Sequence, residues 1–412
     1  MSELVIGLDV GTHKICTIIA DVREKDTFIV GVGIEPSRGM KKGVVSDLGQ
    51  LTAAISASVH KAEKSSGYLV KRAFVSLAGS HIASINSRGA VGITGQRGVS
   101  YDDLDRAMDA ARAIAIPHNR EVLHVIPRSY TLDGQDPVRS PLGMHGFRLE
   151  VEAHIITAST TSVANLEEAI EAAGVQVDRF ILNPLAAGDA ILTPEEREMG
   201  IVIIDIGGGT TDLAIFIEGT VWHTAVLPFG GNHITNDITY LNIPYDTAEA
   251  VKIQYGHCSP RAVDPLETLV VEPFGDSLPI EIKRTELAEV IEARVEEMLS
   301  LAYKEIKRSG YDGLLRAGAV ITGGVSNLPG MRELAARTLK MPVRLAKPEH
   351  LTGMADALRY PSYSTSVGLL RLGLDMDTVT EATPEANGGA AGASLGQMLG
   401  NLFRRFLPDD GN

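Results

Sequence analysis

Residues 201–213 read IVIIDIGGGTTDL. An aliphatic, largely β-branched run ends at Asp205, and three glycines follow. This is the pattern of a buried strand that stops at a tight turn. The pattern occurs twice: VIGLDVGT spans 5–12 and IIDIGGGT spans 203–210. In each copy the aspartate is followed two residues later by glycine, as Asp9 by Gly11 and Asp205 by Gly207. An aspartate at a strand end can orient a metal-bound water. Glycine lets backbone amides come close to a phosphate. One such turn is usually only a hairpin, but two facing each other could grip a triphosphate from both sides. A third strand runs into a double glycine at Val320–Gly330, VITGGVSNLPG, and a helix pattern follows from Met331 to Leu339. A helix start behind a glycine pair is a place where a ligand can lie against backbone.

Composition narrows the class. A chain of 412 residues exceeds one ordinary domain, so two lobes are expected. The formal charge of −14 argues against a nucleic-acid surface. The 2 cysteines, Cys16 and Cys258, stand in no metal or redox spacing, which fits a reducing cytoplasm. No basic region precedes the first strand, so no secretory signal is expected. No apolar run approaches the ~18 residues of a membrane span.

Along the chain, strands are expected at Val5–Val10, Ile15–Ala20, Phe28–Ile34 and Ala73–Ala78, with a helix over Leu48–Glu63 ended by Gly67. From about residue 81 a small inserted α/β unit is expected: strand and turn over Ile82–Ile93, a helix over Tyr101–Ile114 and a strand over Glu121–Leu132. The main fold resumes with a strand at Glu152–Thr157 and a helix at Ser162–Ala173, closed by Gly174. A strand at Arg179–Leu182 and a connecting helix at Leu185–Leu192 lead to the second glycine turn and a hairpin across Glu218-Gly219. Thr285 is read as the N-cap of a long amphipathic helix whose apolar face carries Leu287, Val290, Ile291, Val295, Met298, Leu299, Ala302 and Ile306. Residues Asp375–Ala393 are Gly/Ala/acid-rich and linker-like. Then Leu395, Met398, Leu399, Leu402, Phe406 and Leu407 make an apolar stripe on a short helix over Ser394–Leu407.

The three glycine-turned strand ends resemble the two phosphate motifs and the adenosine motif of the actin-like ATPase superfamily. With the insert, linker and terminal amphipathic helix, the chain resembles the FtsA family, bacterial cell-division proteins that tether FtsZ filaments to the inner membrane. The resemblance rests on VIGLDVGTHK (5–14), NPLAAGDAIL (183–192), IVIIDIGGGTTDL (201–213), VITGGVSNLPG (320–330), SVGLLR (366–371) and SLGQMLGNLFRRFL (394–407).

It implies an α/β, two-lobe actin-like fold of duplicated ribonuclease H-like units, with an inserted 1C subdomain. Subdomain 1A would span 1–80 and 155–195, with a return at 365–385; 1C would be 81–154. Subdomain 2A would be 196–231 and 308–364, and 2B would be 232–307. A linker would fill 386–393 and the membrane helix 394–407. The implied cofactors are ATP and Mg²⁺. Asp9 and Asp205 would orient the metal through its waters. Gly11, Thr12 and His13 would present backbone to the phosphates and Lys14 would neutralise charge. Gly207, Gly208, Gly209 and Thr210 would form the opposing cradle. Gly323 and Gly324 would let adenosine lie on backbone, and Glu249 with Lys252 would hold ribose and base. A plain solvated pair is the other reading of Glu249 and Lys252.

The implied partners are the FtsZ tail on 2B, further copies of the chain in filaments, and later division proteins on 1C. Arg294 and Glu297, on the polar face of the long helix, are the candidate FtsZ contacts. Leu395, Met398, Leu399, Leu402, Phe403, Arg404, Arg405, Phe406 and Leu407 would lie on lipid at the cytoplasmic face of the inner membrane. Where MreB-like relatives carry an acid before the proline of the connecting helix, this chain has Asn183, which cannot act as a base near neutral pH. Slow hydrolysis and an adaptor role are therefore expected. Among rivals, a sugar or acetate kinase lacks a second polar constellation here, and a chaperone needs a further peptide-binding domain. The nearest is PilM, the pilus-assembly ATP-binding protein, which normally lacks the linker and terminal helix.

Overall fold

Both copies of the motif fold alike. The strands Glu3–Val10, Lys14–Arg23 and Asp26–Pro36 form an antiparallel meander. The strands Ile201–Ile206, Thr211–Ile217 and Thr220–Leu227 form a second. Each meander's first strand takes two parallel strands on its other side. These are Arg72–Leu77 and Gln176–Leu182 in one sheet, and Gly318–Thr322 and Val343–Leu345 in the other. The structure is a computed structural model that describes residues 3–380, apart from 24–25, 95–97 and 276–277. The expected linker, 386–393, and the expected membrane helix, 394–407, lie outside the described residues.

Two helices, Asn183–Ile191 and Ser364–Thr380, pack between the lobes. Their small residues allow it. A Cβ on Gly368 would collide with the Ala186 carbonyl, and one on Gly188 would stand 2.9 Å from the Phe216 ring. Every residue from Pro184 to Ile191 is buried. The second lobe adds the helices Gly231–Ile238, Tyr245–Tyr255 and Arg284–Ser309, and a ribbon of Thr268–Val271 with Ile280–Lys283. The long helix buries the expected face, except that Val290 is only partly covered. Its start differs from expectation. The helix begins at Arg284, after an extended Lys283 with no side-chain cap, so Thr285 lies inside the first turn. The ribbon decides this: the Arg284 amide donates to the Glu267 carbonyl at 3.0 Å, which fixes where the chain turns.

An inserted unit stands between the Arg72–Leu77 strand and the Thr160–Ala172 helix. Its strands Ala83–Gly92, Arg148–Ser159 and Arg120–Leu132 form an antiparallel sheet, with the helix Tyr101–Arg112 packed on it. The unit has its own apolar cluster, including Met108, Leu149, Val151 and Ile155. It docks on both lobes. The His124 Nε2 accepts from the Leu182 amide at 3.2 Å. Across the other side, Arg128 lies 4.3 Å from the Trp222 ring centroid and Thr220 donates to the Pro127 carbonyl at 2.8 Å. His154 sits between Asn86, at 2.7 Å from Nδ1, and Thr224, at 2.9 Å from Nε2.

This docking makes stability acid-sensitive. Burial, joined by Arg179 for His124 and by His223, Arg128 and His124 for His154, pushes both imidazoles down to about 3. Unfolded histidine takes a proton near ~6.5, so the lowered native value leaves stability intact above ~6.5 and removes it progressively as pH falls towards 3. At ~1.4 kcal/mol per pH unit for each histidine, pH 5 costs about 4 kcal/mol for the pair. Asp205, pushed up to about 6, and Asp212, held well above the usual carboxylate range, also take up protons in the native state over this window and act in the opposite direction. The fall in urea midpoint between pH 7.5 and 5 is therefore expected to be larger for the wild type than for His124→Gln or His154→Gln. An equal change in all three proteins would contradict the assignment.

Candidate functional site

The two glycine turns face each other across a cleft of about 750 Å³. Each turn is closed the same way: the Gly11 amide donates to the Lys14 carbonyl at 3.0 Å, and the Gly207 amide to the Thr210 carbonyl at 2.9 Å. The amides of Thr12, His13, Gly208 and Gly209 make no hydrogen bond among the described residues. The turns abut closely, since a Cβ on Gly209 would lie 2.7 Å from Thr12 Oγ1 and one on Gly208 would lie 3.1 Å from His13 Cβ. Gly323 and Gly324 line the same cleft, as do Glu249, Lys252 and Asn183. The residues singled out in the sequence are thus brought together by the fold from five separate segments.

The carboxylates sit at the floor. Asp9 accepts from Ser76 at 2.8 Å and Ser366 at 2.6 Å, with the Lys14 ammonium 3.4 Å away. Burial works against the Lys14 charge, but Asp9, Cys16 and Tyr363 outweigh it and raise its pKa. Asp205 accepts from Thr365 at 3.0 Å. Burial pushes its carboxyl up to about 6, against that hydrogen bond. Sequence reading missed Asp212, which also lines the cleft and pairs across the hairpin with Asp205, as Cys16 pairs with Asp9. Burial, then Asp205, holds its carboxyl well above the usual range, and Thr210 donates to it at 3.0 Å. Its Oδ1 and the Asn183 Oδ1 are buried acceptors without a hydrogen-bond partner. The signal was present as the second aspartate of the 201–213 motif. Ser76 and Thr365 had no local signal, and Ser366 was marked only as the first residue of the SVGLLR segment.

These groups fit a hydrated cation. Among the described residues no three His, Cys, Asp or Glu side chains converge to ligate a metal directly. Magnesium keeps several waters and takes one or two carboxylates plus phosphate oxygens. Asp9 and Asp205, beside unpartnered acceptors and free amides, offer that chemistry.

Glu249 and Lys252 are not a solvated pair. Lys252 is 7% exposed. Its ammonium bonds Glu249 at 2.6 Å and Thr235 at 2.8 Å, and Thr235 also donates to Glu249. Burial lowers the Lys252 pKa although Glu249 opposes it. The pair is built into the cleft wall. Arg294, in contrast, forks onto Asp237 of the Gly231–Ile238 helix, at 2.9 Å for one contact, and also bonds Glu297. It ties two helices of the second lobe together, away from the cleft. No helix of the described residues is long and apolar enough to cross a membrane.

A family model described as "Cell division protein FtsA" matches residues 202–368, and one described as "SHS2 domain inserted in FTSA" matches residues 79–157. The cell division protein FtsA of Pseudomonas aeruginosa is 43% identical over 90% of this chain and 89% of its own length. That of Escherichia coli K12 is 34% identical over 98% of each. Among solved structures, the PilM–PilN type IV pilus biogenesis complex superposes with a TM-score of 0.64 at 16% identity, over 90% of this chain and 98% of that one. MreB5 of Spiroplasma citri bound to ADP gives a TM-score of 0.53 at 16% identity, over 92% of this chain and 98% of that one. The structural likenesses, PilM included, establish the actin-like fold. The sequence identities go further: the chain belongs to the FtsA family of cell division proteins.

Proposed function

We propose that this chain binds ATP with Mg²⁺ in the interlobe cleft and works as a nucleotide-gated adaptor of the division machinery. The observation that carries this reading is the pair of glycine turns with unbonded amides, each behind a buried aspartate, facing one another across the cleft. Asp9 and Asp205 would hold the metal's waters. Gly11, Thr12, His13, Lys14 and Gly207 to Thr210 would hold the phosphates, Gly323 and Gly324 the adenosine, and Glu249 with Lys252 the ribose and base. The bound metal would neutralise phosphate charge. FtsZ's tail would dock on residues 232–307, where Glu297 is exposed and Arg294 is reached only in competition with Asp237 and Glu297. Copies of the chain would assemble into filaments, later division proteins would use residues 81–154, and residues 394–407 would hold the assembly on the cytoplasmic face of the inner membrane. The MreB5 structure, bound to ADP, supports nucleotide binding in this fold.

Turnover is expected to be slow. Asn183 can accept a hydrogen bond from water but cannot take its proton. Asp212 lines the same cleft, with its carboxyl held well above the usual carboxylate range by burial and then by Asp205. Purified protein should hydrolyse ATP well below the ~1 s⁻¹ lower end of common enzymes. Asn183→Glu should raise the rate. Steady turnover of several per second by the wild type would overturn the adaptor reading.

A further inference from the structure

The helix Ser364–Thr380 opens with three hydroxyl residues in a row, Ser364, Thr365 and Ser366. Successive helical residues point about 100° apart, so three neighbours reach three directions. Ser364 pairs with Thr322 at 2.7 Å, on the strand that leads into the Gly323-Gly324 turn. Thr365 donates to Asp205 at 3.0 Å, on the second lobe. Ser366 donates to Asp9 at 2.6 Å, on the first. All three hydroxyl residues are buried. One helical turn therefore touches the three strand ends that define the cleft.

The body of this helix is packed on the first lobe: Leu369 meets the backbone at Gly7, 3.2 Å from where a Cβ would stand, and Gly373 is packed against Phe74 and Val5. Its first turn thus carries a first-lobe element across to the second lobe's aspartate. The two aspartates are held unequally. Asp9 has Ser76 and Ser366 as hydroxyl donors and Lys14 beside it, whereas Thr365 is the one side-chain donor to Asp205 among the described residues.

We propose that Thr365 and Ser366 are positioning residues, which hold the facing carboxylates of the two lobes at the spacing a Mg²⁺–nucleotide needs. This rests on the nucleotide reading above. A hydroxyl donating to a carboxylate is among the stronger hydrogen bonds and fixes the orientation of the carboxylate: Ser76 and Ser366 take one Asp9 oxygen each, and Thr365 takes Oδ2 of Asp205. Thr365 should matter more, because no second hydroxyl braces Asp205.

The test measures ATP affinity by titration with a fluorescent ATP analogue, in Mg²⁺ and in EDTA, for the wild type, Thr365→Val, Thr365→Ser and Ser366→Ala. Valine keeps the shape of threonine and removes only the donor. Thr365→Val is expected to lose at least tenfold of the affinity measured in Mg²⁺, with the EDTA affinity unchanged. Serine at 365 should restore it, and Ser366→Ala should show a smaller loss of the same kind. Should valine unfold the protein by thermal melt, Ser366→Ala carries the test alone. Equal loss in Mg²⁺ and EDTA, or no loss in Mg²⁺, overturns the positioning role while leaving nucleotide binding in place. A wild type that binds no ATP overturns the nucleotide reading and this inference with it.

Discussion

Gly324→Asp is expected to weaken ATP binding by more than 100-fold and to leave the fold intact. The two halves of that expectation come from one observation. A Cβ built on Gly324 meets only Ser362 Cβ, at 4.0 Å, and otherwise points into open space. The side chain would therefore disturb no protein packing. That space is the cleft, which Gly324 lines together with Asp9, Asp205 and both glycine turns. An aspartate there would fill volume needed by the adenosine and add a further carboxyl to a site that already holds Asp9, Asp205, Asp212 and Glu249. The cost of pushing a further anion towards a polyphosphate in a poorly solvated cleft is several kcal/mol, enough for that loss. Gly323 makes the contrast. Its φ is +88°, and a Cβ there would collide with Asp205 and the Ile206 carbonyl, so any side chain at 323 damages the turn itself. Calorimetric titration with ATP and a thermal melt of the Gly324→Asp protein decide the matter. ATP binding at wild-type strength would move the adenosine away from this turn.

The parts of the fold that the sequence shows plainly are those specified by neighbours in the chain. The runs Val5–Val10 and Ile201–Ile206 are strands because every residue is apolar or glycine up to the aspartate, and glycine stops them. The helix Met331–Leu339 falls where its pattern places it. What the sequence hides is set across long separations. Ser366 reaches Asp9 from 357 positions away and Thr365 reaches Asp205 from 160, and hydroxyls at the start of a helix carry no periodic mark. The ribbon strands Thr268–Val271 and Ile280–Lys283 are four residues each, too short for alternation to register, yet their pairing moves the N-cap of the next helix from Thr285 to Lys283. Glu249 and Lys252 show how one spacing serves two environments. The i,i+3 pattern is the same for a solvated pair and for a buried one, and only the approach of Thr235 and Gly231 from another helix decides between them. The docking of the inserted unit through Arg128, Trp222 and His154 is likewise tertiary, so its acid sensitivity could not be read in advance.

Truncation after Ala393 is expected to release the protein from lipid while leaving ATP binding unchanged. Residues 394–407 lie outside the described residues, and their sequence and the energy of burying its apolar side chains carry the expectation. Leu395, Met398, Leu399, Leu402 and Phe406 recur at helical spacing, with Leu407 beside them, and Gln397, Asn401, Arg404 and Arg405 fall away from the stripe. Full burial of such side chains is worth about 1.5–3 kcal/mol each, and half-burial of six at the headgroup boundary still gives several kcal/mol. Arg404 and Arg405 add about 1 kcal/mol each against anionic lipid, partly offset by Asp409 and Asp410, so apolar burial carries most of the attachment. A single helix of this size binds reversibly. Assembly of several copies multiplies the attachment through effective concentration rather than through new contacts, so the loss on truncation should be steepest under conditions that favour assembly. The usual fate of a terminal amphipathic stripe is to fold back on its own core. Of the stretch Asp375–Ala393 read as linker-like, residues 375–380 belong to the helix Ser364–Thr380, and the Gly/Ala-rich composition of the remainder suits a tether better than docking. The cleft is spared either way, because its lining residues end at Thr365. Leu402→Asp combined with Phe406→Asp should act like the truncation, since it places two charges on the stripe and keeps the length. Liposomes containing anionic lipid should sediment the full-length protein and leave both variants in the supernatant. Equal sedimentation of full-length and truncated protein would place any lipid contact on the folded lobes and remove the tether from the proposed function.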